Sequence, residues 1–300
     1  MPMSLFLAPS LSIDGITIAA ALLLTAVLLE IGKTEPQPLK FRHWIIMPVT
    51  LIILILGKIV YTPLILLIFL TPKTLFNLKN KHFYLFLTSL AVAGLSYFAW
   101  HLLKNLNEPV MAAAITFDFT SFQASDKLLP LLDSKKQLDF LFHNPGAIST
   151  IIYRTMQDQG QYYIGSFIGL LGWLDTNLPS WIYLSFPLAL ITAALNSQPL
   201  TNRLLFEKNL LTFVWSLCTG AILLGFYLLS TPVANTIIGG IQGRYFIPAA
   251  LPLLLTLSFD YNFPVKIRHP GLIKVMNNWA SLYTSMVLLT TTYTLWVRYY

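Results

Sequence analysis

Ionisable side chains are scarce in this chain. It has 12 acids and 19 bases in 300 residues, so 10% is charged against 56% hydrophobic. Soluble domains carry about 25% charged residues and about 45–50% apolar ones. Too little charge is present to cover a soluble body of this size, and the mean hydropathy of +0.67 agrees. Cysteine is nearly absent as well. The single Cys218 lies in an apolar run, which excludes an internal disulfide and a cysteine-built metal site. Met1 to Ser12 holds no positive charge, so no cleavable signal peptide is predicted there. The motifs of common soluble enzymes are missing: G-x-S-x-G, a Walker loop and G-x-G-x-x-G. The histidines His43, His82, His101, His143 and His269 form no H-x-x-x-H pair, so no protein-built zinc site is predicted. No catalytic residue can be assigned on motif grounds.

What remains is apolar sequence with bases spread singly between the runs. The net charge of +7 forms no stripe, which argues against nucleic acid. The pattern predicts an all-α polytopic membrane protein, one domain over 1–300. Eight short spans are predicted at about 11–29, 44–57, 59–71, 83–100, 178–195, 209–230, 246–259 and 279–297. Several fall below the roughly 20 residues that cross a typical core. The stretch 44–72 can also be a single long span; Gly57-Lys58 and Pro63 favour two. With two, eleven bases fall in the loops 30–43, 72–82, 196–208 and 260–274, which places those loops in the cytoplasm. Both termini are then extracytoplasmic. So is the long loop 101–177, with seven acids and five bases. Within it, 115–122 hints at a strand, and 145–160 has the spacing of an amphipathic helix lying at the membrane surface. Six of the seven tryptophans, all but Trp215, fall near predicted span ends, as in an interfacial belt.

A few polar residues cluster at the predicted outer span ends. Gln242-Gly243-Arg244-Tyr245-Phe246-Ile247-Pro248 follows a glycine-rich turn and opens a helix. Arg244 can hold a phosphate or pyrophosphate bidentately, with Gln242 assisting and the new helix N-terminus adding favourable field. The plainer alternative is an arginine snorkelling at the interface or pairing with a carboxylate. Asp14 and Asp175 lie at the mouths of spans, where helix capping is the simpler role for each. Lys58 sits between two apolar segments, a costly position unless it serves a site or tips a hairpin. Gly165, Gly169 and Gly172 share a helical face and suggest close packing. If Asp14, Lys58, Asp175, Gln242 and Arg244 converge, they form an outward-facing cleft suited to a phosphorylated or polyprenyl-linked substrate.

Several segments carry a resemblance. They are the S-x-D of Ser12 to Asp14, GKIVYTPLILLIFLTP at 57–72, GSFIGLLGWLD at 165–175, Leu178-Pro179, and GGIQGRYFIPAALPLLL at 239–255. In the same order, over nearly the whole chain, they resemble the bacterial domain-of-unknown-function 2142 family. Q-G-R-Y-F-x-P is the most specific of them. The resemblance implies a multi-pass protein of the bacterial plasma membrane, related to the C-type glycosyltransferases of cell-surface polysaccharide assembly. It implies the lipid bilayer and a polyprenyl-phosphate-linked sugar as partners. It supplies no catalytic residue, because none is settled for the family. Full members are longer at the N-terminus, where they carry a span and an acidic D-E-x-x-H-like outer loop. In C-type transferases the first outer loop supplies the catalytic acid. The lack of that element here implies the alternative of a non-catalytic membrane component or a truncated fragment.

Overall fold

The computed structural model describes residues 2–8, 12–31, 40–70, 81–106, 132–195, 204–257 and 270–299. The suggested strand at 115–122 and most of the basic loops lie outside these residues. The described chain is helical apart from one small hairpin, the segment 231–242 and short connections, as the apolar sequence demands. Backbone polar groups have no water to bond in a bilayer, so helices that satisfy them internally are favoured.

The elements run α1 (Pro2–Leu7), α2 (Ile13–Ile31), α3 (Phe41–Lys58), a 3-10 segment (Ile59–Leu70) and α4 (Lys81–Leu106). Next come α5 (Ser134–His143), α6 (Ala147–Ile168), the two-residue strands β1 (Leu170–Leu171) and β2 (Thr176–Asn177), and α7 (Ser180–Leu195). The chain ends with α8 (Leu204–Ser230), a 3-10 turn (Gly243–Phe246), α9 (Ile247–Leu257) and α10 (Pro270–Tyr299). Among the described residues, four helical stretches are long and apolar enough to cross a membrane: Ile13–Ile31, Phe41–Leu70, Phe83–Leu102 and Leu205–Ser230. Ser180–Leu195 and Gly243–Leu257 are shorter apolar helices. Helix therefore occupies most of each predicted span among the described residues.

The stretch 44–72 departs from expectation in kind. The helix is not interrupted at Gly57-Lys58 but tightens there from α to 3-10. Pro63 gives the reason. It has no N–H to offer the Ile59 carbonyl four residues back, and the Thr62 hydroxyl takes up that carbonyl at 2.8 Å. Other span hydroxyls also bond back to the preceding turn, as Thr25 does to Ala21 at 2.8 Å and Thr50 to Ile46 at 2.7 Å. Such bonds let a polar side chain sit in an apolar helix without an unpaired donor.

The helix α2 is the hub. It packs against α3, the 3-10 segment and α9, and half of it is enclosed, against 17% of α4. Leu24 and Leu28 of α2 meet Leu51 and Leu54 of α3, Leu64 and Leu67 of the 3-10 segment, and Leu211 of α8 in one buried core. Ion pairs pin both ends of the α2–α3 pair. Arg42 binds Glu30 at one end and Lys58 binds Asp14 at the other. Asp14 to Glu30 and Arg42 to Lys58 are both sixteen residues, about 24 Å of helix at 1.5 Å per residue. The antiparallel pair is thus matched in length.

Between α4 and α7, two helices stand where the long loop was expected. The residues predicted as an amphipathic helix, 145–160, lie almost wholly within α6. That helix continues to Ile168. Ile148, Ile152 and Met156 form an exposed row along it, while Ile151 and Thr155 are buried. The glycine face does not form. Helix α6 ends at Ile168 with Gly169 as its cap, and Gly172 lies in the hairpin turn at φ 64°. Gly165 has open space where a side chain would begin.

Candidate functional site

Asp14, Lys58 and Arg244 meet where α2 begins and α3 ends. Asp14 lies in the first turn of α2, but it is not the cap. Its own N–H donates to the Ser12 hydroxyl at 3.2 Å, so its carboxylate is left for other partners. Lys58, the last residue of α3, donates through Nζ to Asp14 Oδ1. Arg244 Nε lies 3.0 Å from Asp14 Oδ2. The two cations therefore share one carboxylate, one on each oxygen. The three side chains are 7%, 17% and 20% exposed in the order Asp14, Lys58, Arg244.

Close backbone approach makes the Lys58 contact possible. Gly57 faces α2 with no side chain, and a Cβ there would stand 2.6 Å from Thr17 Cγ2. Any larger residue would push α3 away from Asp14. An aromatic ring completes the surroundings. The Lys58 ammonium sits 3.8 Å from the Tyr245 ring centre, and the Arg244 guanidinium carbon 5.6 Å from it. An aromatic face attracts cations in this way. Tyr245 stacks on Phe226 at 5.2 Å, and its carbonyl accepts the Tyr61 hydroxyl at 2.9 Å.

Gln242 immediately precedes the 3-10 turn that carries Arg244 and is 1% exposed. Its Oε1 is buried without a hydrogen-bond partner, as is the Tyr163 hydroxyl of α6. Burial, with the neighbouring Tyr162 and Asp158, pushes the Tyr163 phenol up to about 12, so it stays neutral at ordinary pH.

Asp175 is engaged elsewhere. Its Oδ1 accepts the Thr176 hydroxyl at 3.0 Å and its Oδ2 the Arg298 guanidinium at 2.6 Å. Among the described residues it makes no ion pair with the Asp14 cluster. It neither caps α7 nor joins Asp14, Lys58 and Arg244, but ties the hairpin to the last turn of α10. The Thr176 hydroxyl and then Arg298 hold its carboxyl below the usual range.

Tyr61 and Tyr245 were not singled out as site residues, although each lies beside one in sequence. Lys58 and Tyr61 are one helical turn apart, and Tyr245 follows Arg244. A second charged cluster closes the other end of the α2–α3 pair. There Glu30 faces Arg42, with Lys40 at 3.8 Å and His43 Nε2 at 3.6 Å. Among the described residues, no group of three or more His, Cys, Asp or Glu is placed to hold a metal ion. The Asp14 site brings together two cations, one carboxylate and an aromatic face.

A family model described as a predicted membrane protein, DUF2142, matches residues 1–253. The match takes in all three charged residues of the cluster. No curated protein and no solved structure matches the chain.

Proposed function

Because this chain belongs to the DUF2142 family of predicted membrane proteins, its setting is a bilayer, and we propose that the Asp14–Lys58–Arg244 cluster binds the phosphate of a polyprenyl-phosphate-linked sugar. One observation carries the proposal: two largely buried cations share a single carboxylate. That leaves one positive charge in excess where solvation is poor, and a second anion would offset it. A phosphate can supply that anion. Arg244 Nε lies 3.0 Å from Asp14 as an ion pair without making a hydrogen bond there, and a guanidinium fork matches phosphate geometry. The bilayer setting favours a ligand whose phosphate rides on a lipid.

In this proposal the chain is related to the polyprenyl-phosphate-sugar-dependent glycosyltransferases of cell-surface polysaccharide assembly. It lies in the bacterial plasma membrane with the cluster and the α5–α6 layer on the extracytoplasmic side. The pairing of both Lys58 and Arg244 with Asp14 supports a common side for the span ends that carry them. One observation favours a second reading, a non-catalytic membrane component. Asp14 is the only carboxylate among the described residues that pairs with Arg244, and both its oxygens are taken. An acid–base mechanism needs a carboxylate free to reach the reacting atoms.

The test uses purified protein in nanodiscs with radiolabelled polyprenyl phosphate, and the uncharged polyprenol as control. Phosphate-dependent binding that Arg244→Ala abolishes is the expected result. Equal retention of phosphate and alcohol by the native chain would sink the proposal. Incubation with a polyprenyl-phosphate sugar then separates the two readings. Sugar transfer marks an enzyme, and binding without transfer marks the non-catalytic component.

A further inference from the structure

Arg244 lies on a chain segment with little regular structure of its own. Residues 231–242 form no helix or strand, and side chains of α5 and α6 help hold the segment to the fold, beside the Tyr227 hydroxyl of α8, which donates to the Asn235 carbonyl at 3.3 Å. Gln137 accepts the Ala234 N–H at 2.9 Å and donates to the Tyr227 carbonyl at 3.2 Å. Thr155 Oγ1 accepts the Ile238 N–H at 3.0 Å. Ser166 Oγ accepts the Gly243 N–H at 2.7 Å. Gln137, Thr155 and Ser166 are fully buried. The last contact directly precedes Arg244. There α6 and the segment touch backbone to backbone, because a Cβ on Gly243 would overlap the Tyr163 carbonyl oxygen and the Phe167 nitrogen.

We propose that Ser166 and Gly243 are positioning residues for Arg244: their junction fixes the direction in which the guanidinium leaves the segment, and so sets the charge selectivity of the site. The proposal rests on the phosphate site inferred above. An arginine has four side-chain torsions, and a shift of its backbone moves the charge by more than the width of a hydrogen bond. The Ser166 bond holds the backbone one residue before Arg244, where the lever is shortest. The Gly243 contact removes the remaining freedom, because α6 and the segment cannot slide while two backbones are in contact. Asp14 then receives Nε from a fixed direction, and the terminal amines stay available to a ligand. Ser134 makes a bond of the same kind at the far end of the clasp, to the Leu228 carbonyl at 2.8 Å. It has no path to Arg244 as short as that of Ser166.

The experiment measures binding of polyprenyl phosphate and of polyprenol to the full chain in nanodiscs, for the native protein, Ser166→Ala, Gly243→Ala and Ser134→Ala. Ser166→Ala is expected to weaken phosphate binding by about two- to tenfold, the span of one hydrogen bond, with polyprenol binding unchanged. Gly243→Ala is expected to lose more. Should Gly243→Ala fail to fold, Ser166→Ala carries the test by itself. Ser134→Ala is expected to match the native protein in both ligands. If the native chain shows no preference for phosphate, the site itself is overturned. If the native chain prefers phosphate and Ser166→Ala keeps the full preference, only the positioning role is overturned. Equal losses in Ser166→Ala and Ser134→Ala would also overturn it, because the clasp would then act through general stability.

Discussion

Asp14 carries two cations on one carboxylate, so its neutralisation should cost more than the loss of either partner. Asp14→Asn leaves Lys58 and Arg244 facing each other with no anion between them. Breaking a buried ion pair costs about 3–5 kcal/mol, and the partial exposure of both cations places this site near the lower end. A clear drop in thermal midpoint in detergent is expected. Adding Lys58→Met to Asp14→Asn should recover part of it, since one stranded charge is removed. A double variant no more stable than Asp14→Asn alone would argue against the shared carboxylate. Lys58→Met alone should be milder, because Arg244 remains to pair with Asp14. The residues of this cluster were visible in the sequence as polar side chains at span ends. Their partners were not. Asp14 and Asp175 looked alike there, each an acid before a helix, and helix capping was the simpler role for both. The structure gives neither of them that role.

Among the elements, the α2–α3 pair depends on one close approach. Gly57→Val should destabilise the protein by about 1–3 kcal/mol, the usual cost of overpacking, and detach Lys58 from Asp14. Thr17→Ala in the same chain should restore much of the loss, since Thr17 Cγ2 is the atom a new side chain meets. A melt showing no rescue would place the strain elsewhere. The hairpin and α10 have a different dependence, on pH. The folded Asp175 carboxyl lies below its usual range, so its contribution is present above the unfolded value of about 3.9. It is lost as pH falls through the lowered folded value. Hydrogen exchange at the end of α10 should rise only in that acidic window. Asp175→Asn should raise it already at neutral pH. The carboxylate is exposed, so the effect is expected to be local. The helix type was legible from long apolar runs. The switch to 3-10 after Lys58 was not, because it depends on the Thr62 hydroxyl taking the Ile59 carbonyl that Pro63, without an N–H, leaves open.

At the scale of the whole molecule, orientation remains a proposal and is open to direct measurement. Cys218 is buried, and Cys218→Ser supplies a background without native thiols. In that background, Thr236→Cys should react with an impermeant maleimide on intact cells, since Thr236 is exposed on the segment that carries Arg244. Lys40→Cys, at the Glu30 end of the α2–α3 pair, should react only after the cells are broken. The reverse pattern would place the Asp14 cluster on the cytoplasmic face. The match to residues 1–253 ends before α10, whose exposed Leu282, Met286, Leu289 and Tyr293 form an apolar stripe of the kind that faces lipid.

Charge scarcity and runs of apolar residues by themselves determined that this is a multi-pass helical membrane protein, and roughly where its helices lie. Those are local properties: each window of sequence must bury or solvate its own backbone, whatever the rest of the chain does. Only the tertiary structure decided which charges pair. Asp14, Lys58 and Arg244 are far apart along the chain, and nothing local distinguishes them from Asp175 or Arg298. Packing makes the selection. Gly57 lets α3 close on α2, and Gly243 lets the Arg244 segment close on α6. Two positions without side chains thereby bring together the three charged residues that most merit mutation.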